Sequence, residues 1–234
     1  MSDAAPLLAD TVRGLIDHLR FHQALGLRAL PMQQEYLAGP TVALRRVEEA
    51  IAGCTRCKLA GGRTTIVFGS GDPAARLVLI GEGPGEEEDR QGKPFVGRAG
   101  QLLTKMLESV GISRDEVYIC NIVKCRPPGN RNPEPDEIAS CAPFLAGQLA
   151  AIRPGVICAL GTFAAQTLLR TREPIGRLRG QLHQYGNTVL IPTFHPAFLL
   201  RNPGPAYRKQ AYDDLKLVRR EYDRVRGGGP ARPA

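Results

Sequence analysis

The feature that most constrains this chain is a change of rhythm after Pro73. From there, short apolar runs alternate with longer stretches patterned at helical spacing. The runs are 76–81 (RLVLIG), 117–123 (VYICNIV), 155–160 (GVICAL) and 188–193 (TVLIPT); helix-like stretches cover 98–110, 135–152 and 162–170. Short continuous apolar runs suit strands buried on both faces. A helix between successive strands returns the chain so that they pair in parallel. The sequence therefore predicts an α/β fold, a three-layer α/β/α arrangement around a central, mainly parallel, four-stranded sheet. An N-terminal helical arm precedes it, because Leu7, Leu8, Val12, Leu15, Ile16 and Leu19 recur at helical spacing. A further helix is predicted from Thr41, as N-cap, through Val42, Leu44, Val47 and Ile51. We assign 1–40 to the arm, 41–226 to the α/β domain, and the Gly- and Pro-rich 227–234 to a disordered tail.

This layout also says where a ligand sits. In open parallel sheets, ligands bind outside the carboxyl ends of the strands. Just beyond those ends lie GEGPGEEED (81–89), Asn121, Gly161-Thr162 and Phe194-His195-Pro196. A carboxylate, an amide and an imidazole thus converge on one rim. The Gly-rich segment 81–101 lacks a G-K-[ST] ending and the three-glycine dinucleotide fingerprint, so a nucleotide-phosphate site is a poor reading.

With 43% hydrophobic residues the chain can bury a core, which excludes wholesale disorder. A net charge of +8 favours a polyanionic partner, since neutralising phosphates releases counterions. Aromatic content is 6% without tryptophan, too little for a broad base-stacking platform. No apolar run approaches the roughly 18 residues of a membrane helix, and MSDAAPLLAD has no secretory pattern, so a soluble, intracellular protein is expected. In a reducing compartment, six cysteines point to metal or catalysis rather than to structural disulfides. Cys54-x-x-Cys57 offers two thiolates from one turn, and Cys125 and Cys141 offer two more; four thiolates hold zinc or an iron–sulfur cluster. The wide, Pro-rich second pair favours the cluster. Cys120 and Cys158 sit inside strand-like runs and read as small buried hydrophobes.

GEGPGEEED, PFVGRAGQ, NIVKCRPPGNRNP and FHPAFLLRNP, in that order and with the four cysteines, resemble the family-4 uracil-DNA glycosylases of the uracil-DNA glycosylase superfamily. The likeness runs from about Cys54 to Tyr212. It implies a hydrolase of DNA base excision repair. Such an enzyme flips uracil out of double- or single-stranded DNA and hydrolyses its N-glycosidic bond, leaving free uracil and an abasic site. It further implies a cytoplasmic monomer, associated with the nucleoid through DNA, with no membrane partner. No lysine is assigned to the pocket, so lyase chemistry is not expected.

The resemblance also implies a [4Fe–4S] cluster on Cys54, Cys57, Cys125 and Cys141, and a uracil pocket of Glu82, Gly83, Phe95, Asn121 and His195. Each residue type suits that chemistry. Phe95 offers a stacking face. Asn121 carries both a donor and an acceptor, matching uracil O4 and N3–H, whereas cytosine presents the opposite pattern. Glu82 stabilises the cationic sugar or orients water, and a neutral His195 donates to uracil O2 as it becomes anionic. Gly83 stands where the best-studied uracil glycosylases carry a catalytic aspartate, which leaves the route of water activation open. Glu88 is a candidate to help exclude the thymine methyl. Leu199 or Leu200, with Arg201, is the candidate wedge. Arg177 and Arg179, in a loop with Gly176 and Gly180, are candidate phosphate contacts. A covalent uracil-DNA trap is disfavoured, since 126–140 contains no histidine. A non-catalytic iron–sulfur module leaves Glu82, Asn121 and His195 unexplained.

Overall fold

A computed structural model describes residues 39–227. The amphipathic stretch at 7–19 and the tail beyond Gly227 lie outside the described residues. In chain order the elements are α1 (Pro40–Ile51), β1 (Ser70–Gly71), β2 (Leu77–Gly81), α2 (Glu86–Gln91), α3 (Arg98–Glu108), β3 (Tyr118–Asn121) and α4 (Pro135–Ile152). There follow β4 (Val156–Leu160), α5 (Thr162–Leu169), α6 (Ile175–Leu178), β5 (His183–Tyr185), β6 (Thr188–Thr193), α7 (Pro196–Arg201) and α8 (Pro205–Arg226).

The strands form one sheet in the order β1-β3-β2-β4-β6-β5. The inner four pair in parallel, as predicted; β1 and β5 add antiparallel edges. Among the described residues the sheet thus has six strands, the four expected parallel ones and two short edges. The edges escape a sequence reading because of their length: they span only two and three residues, and neither carries an apolar run.

Alternation along the strands sorts side chains into two cores. Val78, Ile80, Ile157 and Leu190 face the layer that contains α1, α4 and α5. Leu77, Leu79, Ile119, Cys158 and Ile191 face α3, α7 and α8. Burial on both faces is why these strands read as unbroken apolar runs. Cys120 and Cys158 are fully enclosed strand residues, and burial pushes both thiols up.

Helix α4 starts at the Pro135 turn. There Glu134 and Glu137 cap each other's backbone N–H groups, and Arg131 grips the Glu137 carboxylate with bonds of 2.6 and 2.9 Å. Helix α8 is an element that the apolar runs did not reveal. Its buried stripe, Ala211, Leu215, Val218 and Tyr222, recurs at helical spacing within a heavily charged segment.

The chain passes from β2 to β3 on one side, then recrosses to β4 on the other side of β2. That reversal opens a crevice outside the carboxyl ends of β2 and β4. Among the described residues no helix is long and apolar enough to cross a membrane.

Candidate active site

Parallel register sets the strand ends level with one another. Gly81 pairs with Asn121, and Leu160 pairs with Thr193. Beyond them opens a cavity of about 470 Å³ whose walls include Glu82, Gly83, Phe95, Asn121, His195 and Arg201. Glu88 also reaches this wall.

Asn121 closes β3 and is 1% exposed, yet among the described residues neither its amide nitrogen nor its amide oxygen has a hydrogen-bond partner. A buried polar group left unpaired costs about 1–3 kcal/mol, so this side chain is poised for a ligand with both a donor and an acceptor. Gly81 makes room for it. A Cβ at position 81 would lie 2.4 Å from Asn121 Oδ1 and 2.6 Å from Phe95 Cζ. The amide and the ring therefore face one strand end that tolerates no side chain.

Phe95 adopts φ +53°, a left-handed conformation that is uncommon for an aromatic residue. Its neighbours hold it there. Glu88 Oε1 accepts from the N–H groups of Val96 (2.9 Å) and Gly97 (2.8 Å), and Arg114 donates to the Pro94 carbonyl at 2.8 Å. On the other side, a Cβ on Gly100 would come within 1.9 Å of the Phe95 oxygen, so only glycine lets α3 pack against this bend. Glu88 thus clamps the loop that carries the ring.

His195 caps α7, and its Nδ1 accepts the Ala197 N–H at 3.1 Å. That bond leaves Nε2 as the protonated nitrogen of the neutral ring. Burial pushes the imidazole down to about 4, with Arg201 adding to the shift. Burial pushes Glu82 the other way, up to about 7, while the Arg201 charge pulls it back. At neutral pH the site thus holds a neutral imidazole beside a carboxyl group balanced between its two forms. A Cβ at Gly83 would meet Val123 Cγ2 at 2.9 Å, so a side chain there would require Val123 to shift.

The candidate DNA contacts separate sharply. Leu199 is 3% exposed and packed in the core, whereas Leu200 is 39% exposed. Of the two leucines, Leu200 is the one whose side chain reaches solvent. Arg177 is exposed and pairs with Glu173 at 3.3 Å. Arg179 is committed inward: it donates to both carboxylate oxygens of buried Asp214 and to the Gln210 carbonyl, and lies over the Phe194 ring. Arg179, expected as a phosphate contact, is thus engaged inward in this structure. One wall escaped the sequence reading: Pro127, Asn130 and Arg131, within a quoted motif, also line the cavity.

On the other side of the sheet, Cys125 and Cys141 are buried, with Cys54 and Cys57 packed against the same core. The thiols of Cys54 and Cys57 are close enough to influence Cys125, and those of Cys57 and Cys125 to influence Cys141. Arg63 donates to Cys125 Sγ at 3.3 Å and to the Cys54 carbonyl at 2.7 Å. The Cys54–Cys57 turn is fastened to α4 by Arg56 over the Phe144 ring and by Lys58 with Glu134 and Asp136. Burial pushes the Cys141 thiol up to about 11, and the Lys124 charge opposes this. No three His, Cys, Asp or Glu side chains among the described residues are gathered around one ion-sized point. The donor set nevertheless suits an anionic tetrathiolate centre. It comprises four unbridged thiols, with Arg63 and Lys124 as the cations that face them.

Comparison with known proteins agrees with this geometry. The family model described as the uracil DNA glycosylase superfamily matches residues 68–216. The Type-4 uracil-DNA glycosylase of Thermotoga maritima is 48% identical over 74% of this chain and 91% of its own. The Type-4 enzyme of Saccharolobus solfataricus is 43% identical over 74% of this chain and 83% of its own. A Type-5 uracil-DNA glycosylase of Pyrobaculum aerophilum is more distant, at 32% over 57% of this chain and 66% of its own. The chain therefore belongs to the uracil DNA glycosylase superfamily and, within it, to the type-4 group.

Proposed function

We propose that this protein excises uracil from DNA by hydrolysing the N-glycosidic bond, as the first step of base excision repair in the cytoplasm. The observation that carries the reading is Asn121, a buried amide whose donor and acceptor both lack partners among the described residues, at the end of a cavity. Uracil O4 and N3–H satisfy the two atoms together; cytosine leaves both opposed, which costs discrimination of the kind seen when buried polar groups stay unpaired. Phe95, fixed by its clamped loop, stacks on the flipped ring.

Bond cleavage leaves positive charge on the sugar and negative charge on uracil. His195 Nε2–H is the donor for uracil O2, and it is effective because the ring is neutral and its tautomer is set by the Ala197 N–H. Glu82, once ionised, stabilises the sugar cation and takes the proton of the attacking water. The crowding of position 83 by Val123 supports giving that duty to Glu82.

Cys54, Cys57, Cys125 and Cys141 are the residues that would hold a [4Fe–4S] cluster. Through these four thiolates such a cluster would supply metal–thiolate bonds. Leu200 fills the gap left by the flipped nucleotide, and the exposed Arg177 meets phosphate. Such an enzyme works as a monomer on single- or double-stranded DNA.

The test is incubation with a uracil-containing oligonucleotide, followed by alkali and a denaturing gel. Free uracil, with strand cleavage only after alkali, is the expected result. A heat-stable, slow-migrating adduct would instead identify a covalent trap.

A further inference from the structure

We propose that Lys124 is a positioning residue that couples the four-cysteine nest to the base-reading amide of Asn121. The proposal rests on the functional reading above. A fully enclosed lysine is rare and needs compensation. Lys124 is 0% exposed, and among the described residues its ammonium makes no ion pair. Its partners are neutral: it donates to the Asn121 carbonyl at 2.8 Å and to Gln148 Oε1, and it also faces the Cys120 thiol.

The same residue reaches the nest. Its backbone N–H points at the sulfur of Cys141, its charge acts on that sulfur, and the next residue in the chain is Cys125. Gln148, from α4 like Cys141, extends the brace by donating to the Phe68 carbonyl (2.9 Å) and the Tyr118 hydroxyl (3.2 Å). An ammonium with only neutral oxygens around it lacks a counter-charge, and four metal-bound thiolates beside it supply one. The lysine is thereby held where it grips the carbonyl of Asn121. The unpartnered amide of that same residue then points into the pocket without a direct bond of its own. Loss of the anionic centre loosens Lys124, and through it the strand end that reads the base.

The experiment uses full-length protein prepared anaerobically with its iron. Lys124→Met keeps the length and removes the charge; thermal melting checks that it folds. Two readouts are taken besides turnover: inhibition by free uracil, and the rate of iron release to an added chelator. Uracil inhibition should weaken about tenfold, as for losing a hydrogen bond to a charged group, with affinity for undamaged DNA unchanged. Iron should leave several-fold faster. Either readout remaining at the wild-type value overturns the coupling. If Lys124→Met fails to fold, Gln148→Met decides. It frees the ammonium from one partner without removing its charge, and unchanged uracil inhibition overturns the proposal there too. Wild-type protein that neither excises uracil nor is inhibited by it sinks the functional reading itself, a result distinct from either variant outcome.

Discussion

The pocket and the thiol nest lie at two ends of one short segment, 121–125, yet they are unfinished in opposite ways. The pocket is a cavity with an orphaned neutral dipole, the Asn121 amide, and a carboxyl group near its midpoint. The nest is packed into the core and faced by two cations, Arg63 and Lys124. An orphaned dipole is satisfied by a planar neutral ligand that comes and goes. Buried cations are satisfied by a resident anion. On the proposed function, the first site serves turnover and the second permanence.

The sharpest way to break this division is a pair of variants. Glu82→Gln should lower turnover by on the order of 10²-fold or more while DNA affinity and iron content stay unchanged, because the carboxylate acts in the transition state. Cys57→Ser should lose iron and colour and, through Lys124, weaken inhibition by free uracil. Iron loss from Glu82→Gln would tie the carboxylate to the nest, and full iron retention in Cys57→Ser would remove that thiol from the ligand set.

Next in size is the edge between pocket and core. Leu199→Ala should cost about 2–5 kcal/mol of stability in denaturant melts, as buried leucine truncations do. Leu200→Ala should leave stability alone and slow excision more from a U·A pair than from single-stranded DNA, where extrusion is cheapest. A swap of the two phenotypes would reverse the assignment of core and wedge.

Titration sharpens the pocket side. Glu82 is raised above its ordinary value, so its contribution to stability is full below pH 4.5 and lost as pH rises through about 7. His195 is lowered, so its contribution is present above pH 6.5 and lost as pH falls through about 4. Melting temperatures of Glu82→Gln relative to wild type should therefore improve between pH 4.5 and 8. The wild-type rise of kcat/KM through about pH 7 should vanish in the variant. A parallel pair of melting curves would remove Glu82 from the titration.

The smallest effect concerns the surface. Arg177→Ala should reduce the slope of log affinity against log salt by roughly one, as for one lost phosphate contact. Arg179→Ala should lower the melting temperature instead, because buried Asp214 loses its partner. An unchanged slope for Arg177→Ala would move the DNA track elsewhere.

The sequence disclosed whatever repeats or clusters locally. The four apolar runs marked β2, β3, β4 and β6 because burial on both faces leaves no polar alternation to confuse them. The rim residues followed, since topology places strand ends together. What stayed hidden depends on partners far along the chain. Arg179 reads as a basic loop residue until Asp214, 35 positions later, is seen to hold it. Leu199 and Leu200 are adjacent and chemically equal, and only the packing of α7 on the core tells them apart. β1 and β5 are too short for a pattern, and the charges of α8 mask its apolar stripe. Lys124 lay inside a quoted motif, but nothing in a motif says that a lysine is buried.

Gly81 carries a consequence for how such a pocket can change over generations. The inner wall is drawn by a residue with no side chain, between an amide and a ring that sit less than 3 Å from any added carbon. No graded series of substitutions leads away from it, because alanine already occupies the slot. Away from the Asn121 amide itself, room for change lies at the rim, in the Glu88-held loop or around Arg131. The strand end works as a fixed gauge, and the loops around it are the adjustable part of the instrument.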